Sequence, residues 1–235
     1  MRAIGGEPER DSVPAVVARL TDDEPLDRRT RAGLVGRLAV LLASSGRRLV
    51  DTVVEVAPHI PIRDRETLRR HHGSLTDDQI AAQLVATAAR ATAAVGAAGG
   101  VLSTVEIAAP PAYLTAPVQI AAETVAVVAI EVKLIAELHE LYGRGVPGTP
   151  ATRGAAYLGA WVRRRGLDPF ADDRAGLGGV IGGAARAQLR KRLLQRAGRN
   201  ATSIVPFLAG AVAGAALNRR ETLRLGERIR ADLRR

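Results

Sequence analysis

The most apolar part of the chain lies between residues 84 and 142, and the remaining elements are read around it. Between residues 84 and 138 the only charged side chains are Arg90, Glu106, Glu123, Glu131, Lys133 and Glu137. A segment this poor in charge must be covered by the rest of the chain or by a membrane, because apolar surface is unfavourable in water. Pro110, Pro111 and Pro117 forbid one continuous helix across 101–117, since proline lacks the N–H donor and clashes with the preceding turn. The pattern therefore predicts a long central helix that starts near Pro117, where proline is tolerated in the first turn, and closes at Tyr142-Gly143. At about 100° per residue, Glu123 and Glu137 fall near one line with Glu131 and Lys133 to either side. Val125, Val128, Val132, Ile135 and Leu138 occupy the opposite side. The expectation is a core helix with one wet, charged stripe.

The flanking pattern is helical throughout. Residues 1–20, with Gly5, Gly6, Pro8 and Pro14, read as a loose arm holding one short helix at 13–20. Thr21-Asp22-Asp23-Glu24-Pro25 is rich in helix-start signals. The positions Leu26, Leu34, Leu38, Leu42, Leu49, Val53 and Val56 then recur at helical spacing, with a break expected at Ser44-Ser45-Gly46 and an end at Pro58 to Pro61. A short charged helix covers 64–72 and stops at Gly73. Thr76 and Gln79 form a capping box, with Leu75 and Ile80 as its hydrophobic staple. That helix runs through Leu84, Ala88 and Val95 into Gly96-Ala97-Ala98-Gly99-Gly100, where small residues permit either a close neighbour or a turn.

After a loop at 144–150, Thr149-Pro150 caps a helix that ends at Gly166. A glycine-rich stretch at 175–185 is followed by a basic helix with Arg186, Arg190, Lys191, Arg192 and Arg196. Asn218-Arg219-Arg220-Glu221 reads as a second capping box ahead of a last helix, whose Leu225, Ile229 and Leu233 share one face. No segment alternates with period two. The reading is all-α, about seven to nine helices in a single compact multi-helix domain over 21–235, with glycine-rich, closely packed apolar helices.

Composition narrows the setting. A chain of 235 residues suits one substantial domain, and the lack of cysteine excludes disulfides and thiolate chemistry. The first residues carry no apolar signal core, so a cytoplasmic location is the default expectation. Charge is unevenly spread. Residues 1–73 carry 13 cations and 11 anions (net +2), residues 74–143 carry 2 and 7 (net −5), and residues 144–235 carry 19 and 6 (net +13). A basic last third suits an anionic partner, either nucleic acid or the cytoplasmic membrane face. The candidate contacts are Arg186, Arg190, Lys191, Arg192, Arg196, Arg199, Arg219 and Arg220.

Catalytic constellations do not emerge. His71-His72 and His139-Glu140 lack metal-ligand spacing, and His139 points about 160° away from Glu123 on the central helix. They read as surface or capping histidines, and no cofactor or metal is expected. Gly176 to Gly183 resembles a phosphate loop only superficially, because no strand precedes it and no Gly-Lys-Ser/Thr follows. No serine sits in a nucleophile elbow. With two Phe, three Tyr and one Trp, the chain is too poor in aromatics for a base-stacking platform.

The glycines carry more. Gly178/Gly182, Gly179/Gly183 and Gly210/Gly214 are small-x-x-x-small pairs that let helices touch backbone to backbone. Arg196, Arg199, Arg219 and Arg220 bracket the apolar body at 204–217. Its 14 residues make roughly 21 Å of helix against a hydrocarbon core of roughly 30 Å. A buried core helix, a peripheral or re-entrant membrane contact and a true span are the three placements to distinguish.

Several of these pieces resemble the EcsC protein family over roughly residues 75–235. They are Gly96 to Gly100 followed by Ala109-Pro110-Pro111-Ala112-Tyr113-Leu114, the long apolar helix ending in Leu141-Tyr142-Gly143, and Val205-Pro206-Phe207-Leu208 through Gly210, Gly214 and Asn218 with the arginine-rich tail. The resemblance implies a helical, hydrophobic bacterial protein associated with transport or secretion, and it supplies no catalytic residues. The spacing of Gly210, Gly214 and Asn218 is its firmest part, read as close packing plus a helix cap. The expectation is a non-catalytic, membrane-associated protein at the cytoplasmic face, meeting anionic lipid or a membrane complex. The alternatives are a soluble helical domain that binds an apolar ligand or protein partner, and then nucleic-acid binding.

Overall fold

Short polar side chains fix where the helices begin. Ser12 accepts a hydrogen bond from the amide of Ala15 at 3.3 Å and opens α1, Val13–Leu20. Asp27 takes the amide of Thr30 at 2.9 Å and opens α2, Arg28–Ser45. Thr21, expected at a helix start, instead closes α1, its hydroxyl bonded back to Val17 O. After α3, Leu49–Val56, and a 3₁₀ turn at Ala57–His59, Asp64 caps α4, Arg65–His72, which ends at Gly73 with φ 60°. The capping box is formed, with Gln79 N donating to Thr76 Oγ1 and Thr76 N donating to Gln79 Oε1. It opens α5, Asp77–Glu106, which continues straight through the glycines at 96, 99 and 100. The remaining elements are α6, Ala116–Leu141, α7, Pro150–Arg164, and α8, Ala209–Leu233. The structure describes residues 12–22, 26–45, 49–106, 116–164 and 209–235, and every regular element among them is helical. The chain is all-α.

α6 runs through the middle. Between residues 121 and 138 almost every side chain is buried, and α2, α5, α7 and α8 all pack on this helix. α1 also belongs to this core, since Val13, Val16, Val17 and Leu20 are buried within it. The segment expected to be part of a loose arm is therefore a packed helix from Val13 onward. α7 crosses the 3₁₀ turn closely. A Cβ at Gly154 would lie 2.7 Å from the Ala57 carbonyl, so no larger residue fits there without backbone movement.

The expected wet stripe on α6 is dry from Glu131 to Glu137, while Glu123 keeps intermediate exposure. Glu131, Lys133 and Glu137 are 0, 8 and 2% exposed. Burying a charge is costly unless it is paired and hydrogen-bonded, and the structure meets that requirement. Arg63 binds Glu137 through two nitrogens at 2.9 and 2.8 Å, and Lys133 Nζ lies 3.3 Å from the same carboxylate while donating to Pro61 O at 2.9 Å. These bonds fasten the connection between the 3₁₀ turn and α4 onto the central helix.

α5 and α8 form an antiparallel pair with a readable register. Asp78 meets Arg234, Val85 faces Gly226, Thr92 meets Thr222, and Gly96 faces Gly214. Advancing along one helix moves back along the other. The Asp78 end is further tied by Tyr142, whose hydroxyl donates to Asp78 at 2.6 Å.

Candidate functional site

α8 is the element on which the sequence-derived candidates and the structure meet, and its two sides do different things. On the inner side, Asn218, Thr222, Leu225, Ile229 and Leu233 are buried. Asn218 lies in the interior of the helix, so it is no N-cap. Its Nδ2 donates to Thr92 O on α5 at 3.3 Å. The helix begins nine residues earlier, at Ala209, and the Asn218-to-Glu221 pattern that imitates a capping box falls inside it.

From Asn218 a line of buried polar groups crosses the bundle. The Thr92 and Thr222 hydroxyls are 3.0 Å apart, and Thr222 donates to Glu131 Oε1 at 2.9 Å. The Trp161 indole of α7 donates to Glu131 Oε2 at 2.7 Å. With Thr222 donating to the carboxylate, Thr92 is the donor in any bond between the two hydroxyls, and its one proton also has the Ala89 carbonyl at 3.2 Å as an acceptor. Four helices, α5, α6, α7 and α8, are thus joined through one carboxylate. The arrangement specifies how the helices sit, and all five side chains are buried. Glu131, Thr92, Thr222 and Trp161 were not singled out as a set by the sequence, although an isolated Glu within an apolar helix and the single Trp of the chain were visible signals.

The glycine contact lies one turn away. A Cβ on Gly96 would stand 2.8 Å from Gly214 O and 2.7 Å from Asn218 Nδ2, whereas one on Gly214 would stand 3.4 Å from Gly96 O. The backbones touch at this crossing, and Gly96 is the residue that cannot grow. Gly210 lies in the first turn of α8.

The outer side of α8 faces solvent. Val212 and Leu217 are 68 and 44% exposed, and Arg219, Arg220, Arg224 and Arg228 are exposed after them. Arg224 pairs with Glu221 at 3.2 Å, while Arg219, Arg220 and Arg228 make no ion pair among the described residues. Of the other candidate contacts, Arg186, Arg190, Lys191, Arg192, Arg196 and Arg199 lie outside the described residues, as do Gly178 and Gly182.

The titratable groups elsewhere serve the fold. His139 Nδ1 donates to Ile135 O at 2.7 Å, its ring lies 5.8 Å from that of Tyr157, and burial lowers its pKa. Tyr157 accepts the Val146 amide at 2.9 Å and donates to Glu140, which also pairs with Arg153 at 2.7 Å, pinning the loop before α7. The Tyr142 hydroxyl and Arg234 hold Asp78 below the usual carboxylate range. Among the described residues no group of three His, Asp or Glu side chains is placed to hold a metal ion. An apolar cavity lined by Val53, Ile60, Val125, Val128 and Leu158, among others, has about 10 Å³ of space, room for one water. Among the described residues one stretch, Asp77–Ala98 in α5, is long and apolar enough to cross a membrane, and half of it is buried inside the protein. No family model, no curated protein and no solved structure matches this chain.

Proposed function

We propose that this chain is a non-catalytic helical protein of EcsC type that docks at the cytoplasmic membrane face, accessory to a transport or secretion complex, with the outer side of α8 as part of the contact. The observation that carries the reading is the set of exposed arginines without ion pairs among the described residues, Arg219, Arg220 and Arg228, on a helix whose inner side is locked into the core. They lie in the third of the chain that carries a net +13 (19 cations and 6 anions over 144–235). Exposed arginine near an anionic lipid surface contributes about 1 kcal/mol per residue, within a Debye length of roughly 8 Å at physiological salt. The alternative of an apolar ligand held inside the bundle is less well supported, since the cavity beside α6 offers about 10 Å³ where ligand pockets hold roughly 300 Å³ or more.

Co-sedimentation of the full chain with vesicles tests the proposal. Binding to phosphatidylcholine vesicles containing phosphatidylglycerol is expected to fall steeply as salt rises, and Arg219→Glu with Arg220→Glu to weaken it by about tenfold or more. Equal binding to neutral vesicles would sink the electrostatic part. Fractionation of cells places the protein independently. Release of the protein from membranes by a high-salt wash supports a peripheral contact, and its recovery only in the soluble fraction counts against the proposal.

A further inference from the structure

The outer side of α8 carries two kinds of residue that one occupant would have to satisfy together. We infer that the occupant is an anionic lipid bilayer, which Val212 and Leu217 enter at the acyl boundary while Arg219, Arg220 and Arg228 meet phosphates above it. The inference rests on the proposed membrane reading and identifies which surface is met and how. The described residues expose three large apolar side chains, Val40, Val212 and Leu217, and two of them sit on this helix. At about 100° per residue, Val212, Leu217, Arg220 and Arg228 fall within the outer half of α8, opposite the arc of Asn218, Thr222, Leu225 and Ile229. Val212 and Leu217 lie about 140° apart, with the exposed Glu227 between Val212 and Arg220. The inner arc is buried and hydrogen-bonded to α5, so the helix cannot roll to hide either part of the outer one.

Along the axis the two parts are ordered. Leu217 precedes Arg220 by about 5 Å and Val212 precedes it by about 12 Å, at 1.5 Å per residue. A helix that presents exposed apolar side chains followed by arginines fits the plane where acyl chains give way to headgroups. An acidic protein loop would satisfy the arginines and leave the Val212 and Leu217 surface unmatched. The bilayer satisfies both, and that charge and hydropathy match favours it over a loop of a membrane complex.

The chain has no cysteine, so a single introduced one takes a label at one site. Full-length Leu217→Cys and Val40→Cys, each carrying a polarity-sensitive fluorophore, would be mixed with three probes. These are vesicles of equal parts phosphatidylcholine and phosphatidylglycerol, vesicles of phosphatidylcholine alone, and soluble polyglutamate. The expected result is a blue shift at position 217 with the anionic vesicles only, and none at position 40. A second variant, Val212→Ser with Leu217→Ser, is expected to bind the anionic vesicles about tenfold more weakly, through loss of apolar burial, with its salt dependence kept. Both positions are exposed, so neither change removes a core contact.

Sedimentation with the anionic vesicles and no shift at 217 would overturn the inference while leaving the electrostatic reading in place. A shift at 217 with polyglutamate, or an equal shift at position 40, would overturn it as well. No sedimentation with any vesicle would remove the membrane reading and the inference with it.

Discussion

α6 and α8 both carry charge through a helical bundle, and they treat it in opposite ways. In α6 the helix is apolar, and its Glu131, Lys133 and Glu137 are turned inward, where Trp161, Thr222, Arg63 and the Pro61 carbonyl receive them. In α8 the helix is basic, and Arg219, Arg220 and Arg228 turn outward without an ion pair among the described residues, whereas Arg224, Arg230 and the adjoining Arg234 are paired. The difference teaches that the mean polarity of a helix does not say which way its charges face. In a helix that neighbours surround on every side, a charged residue has only the interior to enter and must bring its partners with it. A helix packed along one side can give its charges to solvent or to a ligand. Charge in α6 should therefore govern folding, and charge in α8 should govern association.

The largest expected effect is at Glu137. Replacing it with alanine takes the carboxylate from Arg63 and Lys133, whose side chains are 16 and 10% exposed. Breaking a buried pair by removing one partner costs about 3–5 kcal/mol. Urea unfolding of Glu137→Ala should show a loss of this size. A loss below about 1 kcal/mol, the value typical of surface pairs, would mean that the α6 charges behave as solvated ones and would erase the contrast with α8.

Next comes the crossing that holds α8 in place. Gly96→Ala sets a methyl 2.8 Å from a backbone oxygen of Gly214, and a backbone atom cannot swing away. Such overpacking costs about 1–3 kcal/mol. Gly214→Ala meets Gly96 O at 3.4 Å, close to ordinary contact, and alanine gains up to about 1 kcal/mol of helix propensity. The pair should therefore differ in sign or nearly so, with Gly96→Ala lowering the thermal midpoint and Gly214→Ala leaving it unchanged or raised. Equal losses at both positions would place the tight approach elsewhere.

Most of the helices were legible in the sequence because their signals are local. Thr76 with Gln79, Asp64 ahead of α4, Thr149 with Pro150, and the prolines that bound α6 act within a few residues of themselves. What could not be read is what depends on a distant partner. Asn218 followed by Glu221 has the letters of a cap, and only Thr92, 126 residues away, makes it an interior group. The α6 stripe has the periodicity of a wetted face, and only Arg63, 74 residues back, makes it a dry one. Gly96 was visible as one of several small residues, but nothing local marks Gly214 as its partner. The outer arginines were legible as charge; that they stand beside exposed Val212 and Leu217 depends on which side of α8 is buried.

A smaller effect is expected at the end of α6, where the His139 ring is partly buried beside the paired Glu140. Burial lowers the His139 pKa below its ordinary 6.5, with Arg164 and Arg144 adding to the shift and the Ile135 carbonyl and Glu140 opposing it. The folded protein thus binds the proton less readily than the unfolded chain. The stabilisation from the neutral ring is complete above about pH 6.5, declines as pH falls below that, and is gone once pH passes beneath the folded pKa. His139→Gln should flatten the fall in stability on acidification through this window, read as unfolding midpoints between about pH 7 and pH 5. An unchanged slope would assign the acid sensitivity to other groups.

The smallest effect on folding is expected where the effect on binding is largest. Arg219 and Arg220 are exposed and make no ion pair among the described residues. Replacing both with glutamine should move folding stability by no more than about 0.5 kcal/mol, the range of surface substitutions away from special contacts. The same variant should lose affinity for anionic vesicles, since each arginine near such a surface contributes about 1 kcal/mol. Glu137→Ala should do the reverse, unfolding at lower urea yet binding the same vesicles normally at temperatures where it stays folded. If the two glutamines instead weakened folding and left vesicle binding intact, the arginines would be structural, and α8 would differ from α6 only in how much of it water reaches.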